Sequence, residues 1–179
     1  MRKRQDLTDN PGMAYSPRVI ANALLRTAKE HGETVSHLKL QKLVFYVHAW
    51  MLAIHDRPAL SEPVEAWQYG PVVSSLYHEL KGYGSDPISD YLKEPDHSTG
   101  KLVALVPHPN DKRIWSIIGQ VWDKYGRYSA AKLSAMTHQP GSPWASARTA
   151  NVLPIPDESI QAHFKERLSK ANLNARHHS

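Results

Sequence analysis

The chain has 179 residues, of which 41% are hydrophobic and 22% are charged; this composition is typical of one globular domain and excludes disordered, collagen-like and coiled-coil chains. It has no cysteine, which excludes disulfide scaffolds, thiolate zinc sites, iron–sulfur clusters and cysteine nucleophiles. The net charge is +5, and the excess lies in residues 91–179, which carry twelve basic and seven acidic side chains.

The N-terminal region predicts an arm followed by a helix. Residues 1–13 are polar and basic, and we expect a flexible arm there without an apolar signal core. Ser16 and Pro17 are typical of an N-cap followed by the first helical residue. Gly32 can end this helix, whose apolar positions have helical spacing: Ile20, Ala21, Leu24, Leu25 and Ala28.

A second helix is predicted from the N-cap candidate Ser36 to Asp56. It carries two adjoining apolar stripes, which are Leu40, Leu43, Val44, Val47 and Met51, and Leu38, Phe45 and Leu52. Because two stripes make a wide apolar face, we expect this helix to be central and packed by several elements.

The middle of the chain predicts short strands and one helix. Residues 59–69 read as extended, since Val64 and Ala66 alternate with Glu65 and Trp67. Gly70-Pro71 is predicted to open a third helix, with Val72, Val73, Leu76, Tyr77 and Leu80 on one face. Residues 85–110 are rich in proline and loop-like, with one strand candidate at 102–106.

Four further helices are predicted after residue 110. They are expected at about 110–125, from the cap Ser129 to Met136, from Ser142-Pro143 to about Ala150, and from the cap Asp157 onwards with Ile160, Phe164 and Leu168 inward. The polar tail at 172–179 is expected to fray. The predicted fold class is therefore mainly α, as α+β with one small, short-stranded sheet, in a single compact domain at residues 14–171.

No pattern in the sequence favours an enzyme. The His-Glu-x-x-His zinc motif, the G-x-S-x-G elbow and the phosphate-binding glycine loops are all missing, so we expect no catalytic residues, no metal and no cofactor. His48 lies beside the broad apolar face of the second helix. We expect it to be a core histidine whose ring nitrogens have hydrogen-bond partners, with a ligand or proton-transfer role as the alternative.

Two clusters of aromatic and polar residues stand out instead. The first, at 65–72, places Trp67 and Tyr69 before a predicted helix entrance; they are either anchors for a partner protein or a structural staple under that helix. The second, at 137–144, joins turn residues to a helix start, and is either a structural turn with Trp144 buried or a polar pocket of Thr137, His138 and Ser142.

The motifs that contain these clusters resemble the Panacea domain, the SocA-like and GepA-like group of phage-associated and antitoxin proteins. The resemblance covers about residues 14–150 and is specific, because several separate motifs occur in the right order. These are Ile20–Leu25, Leu38–Trp50, Glu65–Val73, Leu76–Glu79, Leu133–His138 and Ser142–Trp144.

The resemblance implies a helical, cytoplasmic, protein-binding antitoxin that neutralises a cognate toxin by direct contact. It also implies a second possible role, that of an adaptor which delivers its partner to a ClpXP-type protease. The candidate partner-binding residues are Trp67, Tyr69, Tyr77, Thr137, His138 and Trp144.

Two alternatives stay open at this point. One is a small-ligand protein or enzyme with a polar pocket around His138, using Thr137 and Ser142 with His48 or Tyr77. The other is weak nucleic-acid binding through the scattered basic residues of the second half.

Overall fold

The chain folds as seven α-helices with two small antiparallel sheets, in the residues 13–177 that its computed structural model describes. Most of the arm predicted at 1–13 lies outside this range. The helices are α1 (Pro17–Glu30), α2 (His37–His55), α3 (Ser74–Leu80), α4 (Lys112–Tyr125), α5 (Ala130–Thr137), α6 (Pro143–Thr149) and α7 (Asp157–His177). The strands are β1 (Glu65–Trp67), β2 (Gly70–Val72), β3 (Glu94–Pro95) and β4 (Leu102–Val103). The mainly helical α+β class is confirmed, with two short-stranded sheets rather than one.

Helix α2 is the centre of the domain, as its two apolar stripes predict. It packs against α1, α3, α4, α5, α7 and β2, and its side chains are buried on nearly every side. Leu38, which the sequence predicts to lie in an apolar stripe, is 46% exposed in the first turn of the helix. The other elements are thus arranged around one apolar rod.

An aromatic seam joins α2 to α4 and α7. The rings of Tyr46 and Tyr125 stack with their centroids 3.9 Å apart, and Phe164 meets Tyr46 edge-on. The Trp50 indole N–H donates to the Tyr125 hydroxyl oxygen at 3.0 Å, which satisfies a polar atom inside the seam. Burial of this kind raises the pKa of both tyrosines above the ordinary range, because the phenolate form loses its hydration.

Most predicted helix starts are confirmed, but the capping residues predicted for α1 and α7 make other contacts. The hydroxyls of Ser36, Ser129 and Ser142 accept hydrogen bonds from backbone N–H groups of α2, α5 and α6. Ser16 stands at the N-cap of α1 but its hydroxyl donates to Glu94 instead. Asp157 is the first residue of α7 rather than its cap, and its carboxylate accepts from His48.

The prediction that Gly70-Pro71 opens a helix is wrong. Gly70–Val72 is strand β2, which pairs with β1 through Glu65↔Val72, Ala66↔Pro71 and Trp67↔Gly70, and α3 begins only at Ser74. Apolar spacing misled the prediction, because Val72 and Val73 fit a helical face and a buried strand equally well. Gly70 has a φ of +107°, a value that suits a tight hairpin turn and not a helix.

The proline-rich segment at 85–110 is held by a buried amide. The Asn22 side chain of α1 donates to the Leu92 and Leu105 carbonyls, both at 2.9 Å, and accepts from the Leu92 N–H at 2.8 Å. The strand predicted at 102–106 is shorter than expected, since only Leu102–Val103 pairs, with Glu94–Pro95.

Helix α7 extends further than the sequence predicts. It continues to His177, although fraying was expected from residue 172, and its last described side chains are exposed. Ile160 and Phe164 are buried as predicted, and Leu168 is half-buried. Within residues 13–177, no helix is long and apolar enough to span a membrane.

Candidate partner-binding site

The two aromatic clusters of the sequence lie against each other in the fold. The β1–β2 hairpin carries the first cluster, and α5, α6 and the turn between them carry the second. On its other edge, β1 pairs with the segment before α7, since the Ala66 N–H donates to the Leu153 carbonyl at 2.7 Å. We call this region the hairpin surface. It consists of Trp67, the two turn residues Gln68 and Tyr69, and the adjoining His138 and Trp144.

Side chains from α5, from its C-cap His138 and from α6 reach four successive carbonyl groups of the hairpin. Arg148 donates to the Ala66 carbonyl at 3.3 Å, and the Trp144 indole N–H donates to the Trp67 carbonyl at 2.7 Å. His138 Nε2 lies 3.4 Å from the Gln68 carbonyl, and the Ser134 hydroxyl donates to the Tyr69 carbonyl at 2.9 Å. A turn whose outward carbonyls are all contacted in this way is held in one conformation.

Two neighbouring side chains of α2 hold the other strand of the hairpin. The Lys42 ammonium donates to the Pro71 carbonyl at 3.0 Å. The Gln41 amide forms a pair of bonds with the backbone of Val73, donating at 3.1 Å and accepting at 3.0 Å. The central helix therefore fixes the position of the hairpin directly.

Gly70 fits tightly between Lys42 and Thr137. A Cβ placed on Gly70 would lie 2.7 Å from the Lys42 Nζ and 2.9 Å from the Thr137 Oγ1. Burial lowers the pKa of Lys42 to about 8, because the ammonium loses its hydration without gaining a carboxylate partner.

The six predicted partner-binding residues all lie at or under this hairpin, at different depths. Tyr69 is 71% exposed at the tip of the turn. Trp67 is half-buried and packs edge-on against Tyr77 of α3 at 4.9 Å, so the staple interpretation holds for Trp67 and not for Tyr69. His138 and Trp144 are half-buried and meet edge-on at 3.9 Å. Thr137 is buried and donates to the Ser134 carbonyl, so it supports the surface from below.

Comparison with known proteins places the chain in a family. The family described as "Antitoxin SocA-like, Panacea domain" matches residues 40–145. The chain is also similar to Antitoxin SocA of Caulobacter vibrioides (strain NA1000 / CB15N), with 33% identity over 138 residues that cover 77% of this chain and 72% of the relative. The chain belongs to the SocA-like, Panacea-domain family. No solved structure matches it.

The family assignment confirms the resemblance that the motifs indicate, and membership supports an antitoxin role. The matched segment begins one residue before Gln41 and ends one residue after Trp144. It therefore contains both halves of the hairpin surface and the two α2 side chains that hold it.

Sequence reasoning did not single out Gln41 and Lys42 of the Panacea domain. A signal for them exists: they are two adjacent polar residues in a helix that is otherwise apolar on nearly all sides. Buried polar side chains require hydrogen-bond partners, so such a pair indicates backbone groups of another element nearby. Ser134 is half-buried on α5 and Arg148 is exposed on α6, so neither is a polar residue in an apolar surrounding that the sequence could reveal.

His48 lies apart from the hairpin surface of the Panacea domain. It is buried, its Nε2 lies 2.9 Å from the Asp157 carboxylate, and its Nδ1 accepts from the Leu60 N–H at 3.3 Å. The expectation of a core histidine with satisfied ring nitrogens is confirmed. His48 therefore does not join Thr137, His138 and Ser142 in one pocket.

Ser142→Ala tests the polar-pocket alternative in the Panacea domain. The buried Ser142 hydroxyl donates to the Thr137 carbonyl at 2.8 Å and accepts from the Ala145 N–H at 3.1 Å. We expect the variant to lose about 1–2 kcal/mol of unfolding free energy in urea titrations, because a helix cap and a buried bond are lost. Ser146→Ala on the exposed side of α6 should change little. Unchanged stability with complete loss of antitoxin activity would contradict a purely structural role.

Proposed function

We propose that this Panacea-domain protein neutralises a cognate toxin by direct contact, and that the hairpin surface is the contact. The observation that carries the proposal is the set of side-chain contacts with the four successive carbonyls of residues 66–69. Hydrogen bonds reach the carbonyls of Ala66, Trp67 and Tyr69, the His138 ring lies beside that of Gln68, and together they hold an exposed aromatic turn in a fixed shape. A surface that is already ordered loses little conformational entropy on binding.

The composition of the hairpin surface supports this use. Tyr69 projects a mostly exposed ring, and the half-buried rings of Trp67, His138 and Trp144 lie beside the turn. Aromatic residues at the centre of an interface contribute most of its binding energy, because they bury large areas with few rotatable bonds.

Tyr69→Ala is expected to weaken toxin binding without unfolding the protein. Loss of a central aromatic anchor costs about 2 kcal/mol, or about 30-fold in Kd, whereas an exposed side chain adds little to stability. The Kd is measured by calorimetry with the product of the neighbouring gene, alongside thermal melts. Tyr91→Ala is the matched control, since Tyr91 is 38% exposed and outside the hairpin surface. Equal affinity of Tyr69→Ala and wild type would contradict this assignment of the surface.

Co-expression with the neighbouring gene tests the function itself. Direct neutralisation predicts that growth recovers while the toxin level stays constant and the two proteins co-purify. The adaptor role predicts instead that the toxin level falls, and that the fall requires a ClpXP-type protease. Absence of both growth rescue and co-purification would overturn the proposed function.

A further inference from the structure

A cleft of about 430 Å³ lies between α2, α4 and α7. Its apolar lining comes from all three helices, with Trp50 and Ile54 on α2, Ile117 and Val121 on α4, and Leu168 on α7. None of its lining residues belongs to the hairpin surface. Its size lies within the range of about 300–1,000 Å³ that is typical of small-ligand sites.

Two of the cations that line the cleft lie near the same indole ring. The Lys124 ammonium is 5.1 Å and the Arg167 guanidinium 5.7 Å from the centre of the Trp50 ring. Within residues 13–177, no carboxylate forms an ion pair with either cation, whereas the neighbouring Lys170 is paired with Glu166. The cleft is thus lined by two positive charges that contact aromatic rings and have no carboxylate partner among the described residues.

The electrostatics of this pair favour an anion. Burial and the charge of Arg167 both lower the pKa of Lys124, so the two cations repel each other in a partly desolvated place. A carboxylate between them would remove the repulsion and gain charge-assisted hydrogen bonds from both. Apolar side chains of α2 and α4 offer contacts to the rest of such a ligand, and Gln120, Lys170 and Asn174 also line the cleft.

We propose that this cleft binds a small carboxylate with an apolar chain, of the medium-chain fatty-acid type. The carboxylate lies between Lys124 and Arg167, and the chain lies against Trp50, Ile117 and Val121. The cleft shares no residue with the hairpin surface, so a ligand bound in the cleft leaves the proposed toxin contact uncovered.

Calorimetric titration of the full chain with decanoate tests the site, with decanol as the uncharged probe. Decanoate should bind one per chain and at least about tenfold more tightly than decanol, because only the anion gains the two charge-assisted bonds. Lys124→Gln should weaken decanoate about tenfold and leave decanol unchanged. Lys112→Gln is the matched control, since Lys112 is exposed on the same helix outside the cleft.

A second variant blocks the cleft without changing its charge. Ala171 lines the rim on the exposed side of α7, so Ala171→Trp should fill the cleft and remove binding of both probes. Thermal melts confirm that each variant is folded. Equal affinity for decanoate and decanol, unchanged decanoate binding in Lys124→Gln or Ala171→Trp, or no binding at all would each overturn the proposal.

Discussion

Gly70→Ala is expected to lower the unfolding free energy by about 3 kcal/mol, since a left-handed backbone costs about 1–3 kcal/mol and overpacking a similar amount. Both costs apply here: Gly70 has a φ of +107°, and its new Cβ would lie 2.7 Å from Lys42 Nζ and 2.9 Å from Thr137 Oγ1. Lys42 cannot move away without breaking its bond to Pro71. Urea titration measures the change, and toxin neutralisation should fall with it because the hairpin turn is displaced.

Gly119→Ala is the matched control for this substitution. Gly119 lies inside α4 with an ordinary helical φ, and nothing stands within 4 Å of the Cβ it would gain. Alanine forms helices better than glycine by about 1 kcal/mol, so this variant should be slightly stabilised. If both variants changed the unfolding free energy by the same amount, the close fit of Gly70 against Lys42 and Thr137 would not be the cause of the destabilisation.

The second large effect concerns the pH dependence of stability. Burial lowers the pKa of Lys42 from 10.5 to about 8 in the folded protein. Between these pH values the unfolded chain holds more protons, so the contribution of Lys42 to stability rises with pH from about 8 to 10.5. At about 1.4 kcal/mol per pH unit, the rise amounts to about 3 kcal/mol.

Lys42→Met should remove this rise. Urea titrations across the same pH range give the difference between variant and wild type, which cancels the other titrating groups. Near neutral pH we expect the variant to be at least as stable as wild type, because loss of the buried charge offsets loss of the Pro71 bond. Lys29→Met, on the exposed side of α1, should follow the wild-type curve. A parallel curve for Lys42→Met would show that Lys42 is not desolvated.

Helix positions could be predicted from the sequence because each depends on local chemistry. Serine caps at Ser36, Ser129 and Ser142 and the wide apolar face of α2 are readable from neighbours a few residues apart. The β1–β2 hairpin could not be recognised in this way. Its turn, Gln68-Tyr69, lacks the usual asparagine or glycine, and its conformation depends on bonds from α5 and α6.

The candidate site was predicted as two separate clusters and not as one surface. Residue types alone identified Trp67, Tyr69, His138 and Trp144 as unusual. Whether Trp67 packs inward and Tyr69 points outward depends on where α3 lies, and that depends on the whole fold. The close fit of Gly70 against Lys42 could not be predicted for the same reason, since the two residues are adjacent only after the chain has folded.

The four carbonyl contacts at residues 66–69 can form only late during synthesis. Each joins groups that are between 65 and 82 residues apart in the chain. A ribosome delivers the hairpin long before it delivers α5 and α6, so a nascent chain displays the turn without the side chains that shape it. The hairpin surface is therefore fully supported only once the chain has been made as far as Arg148.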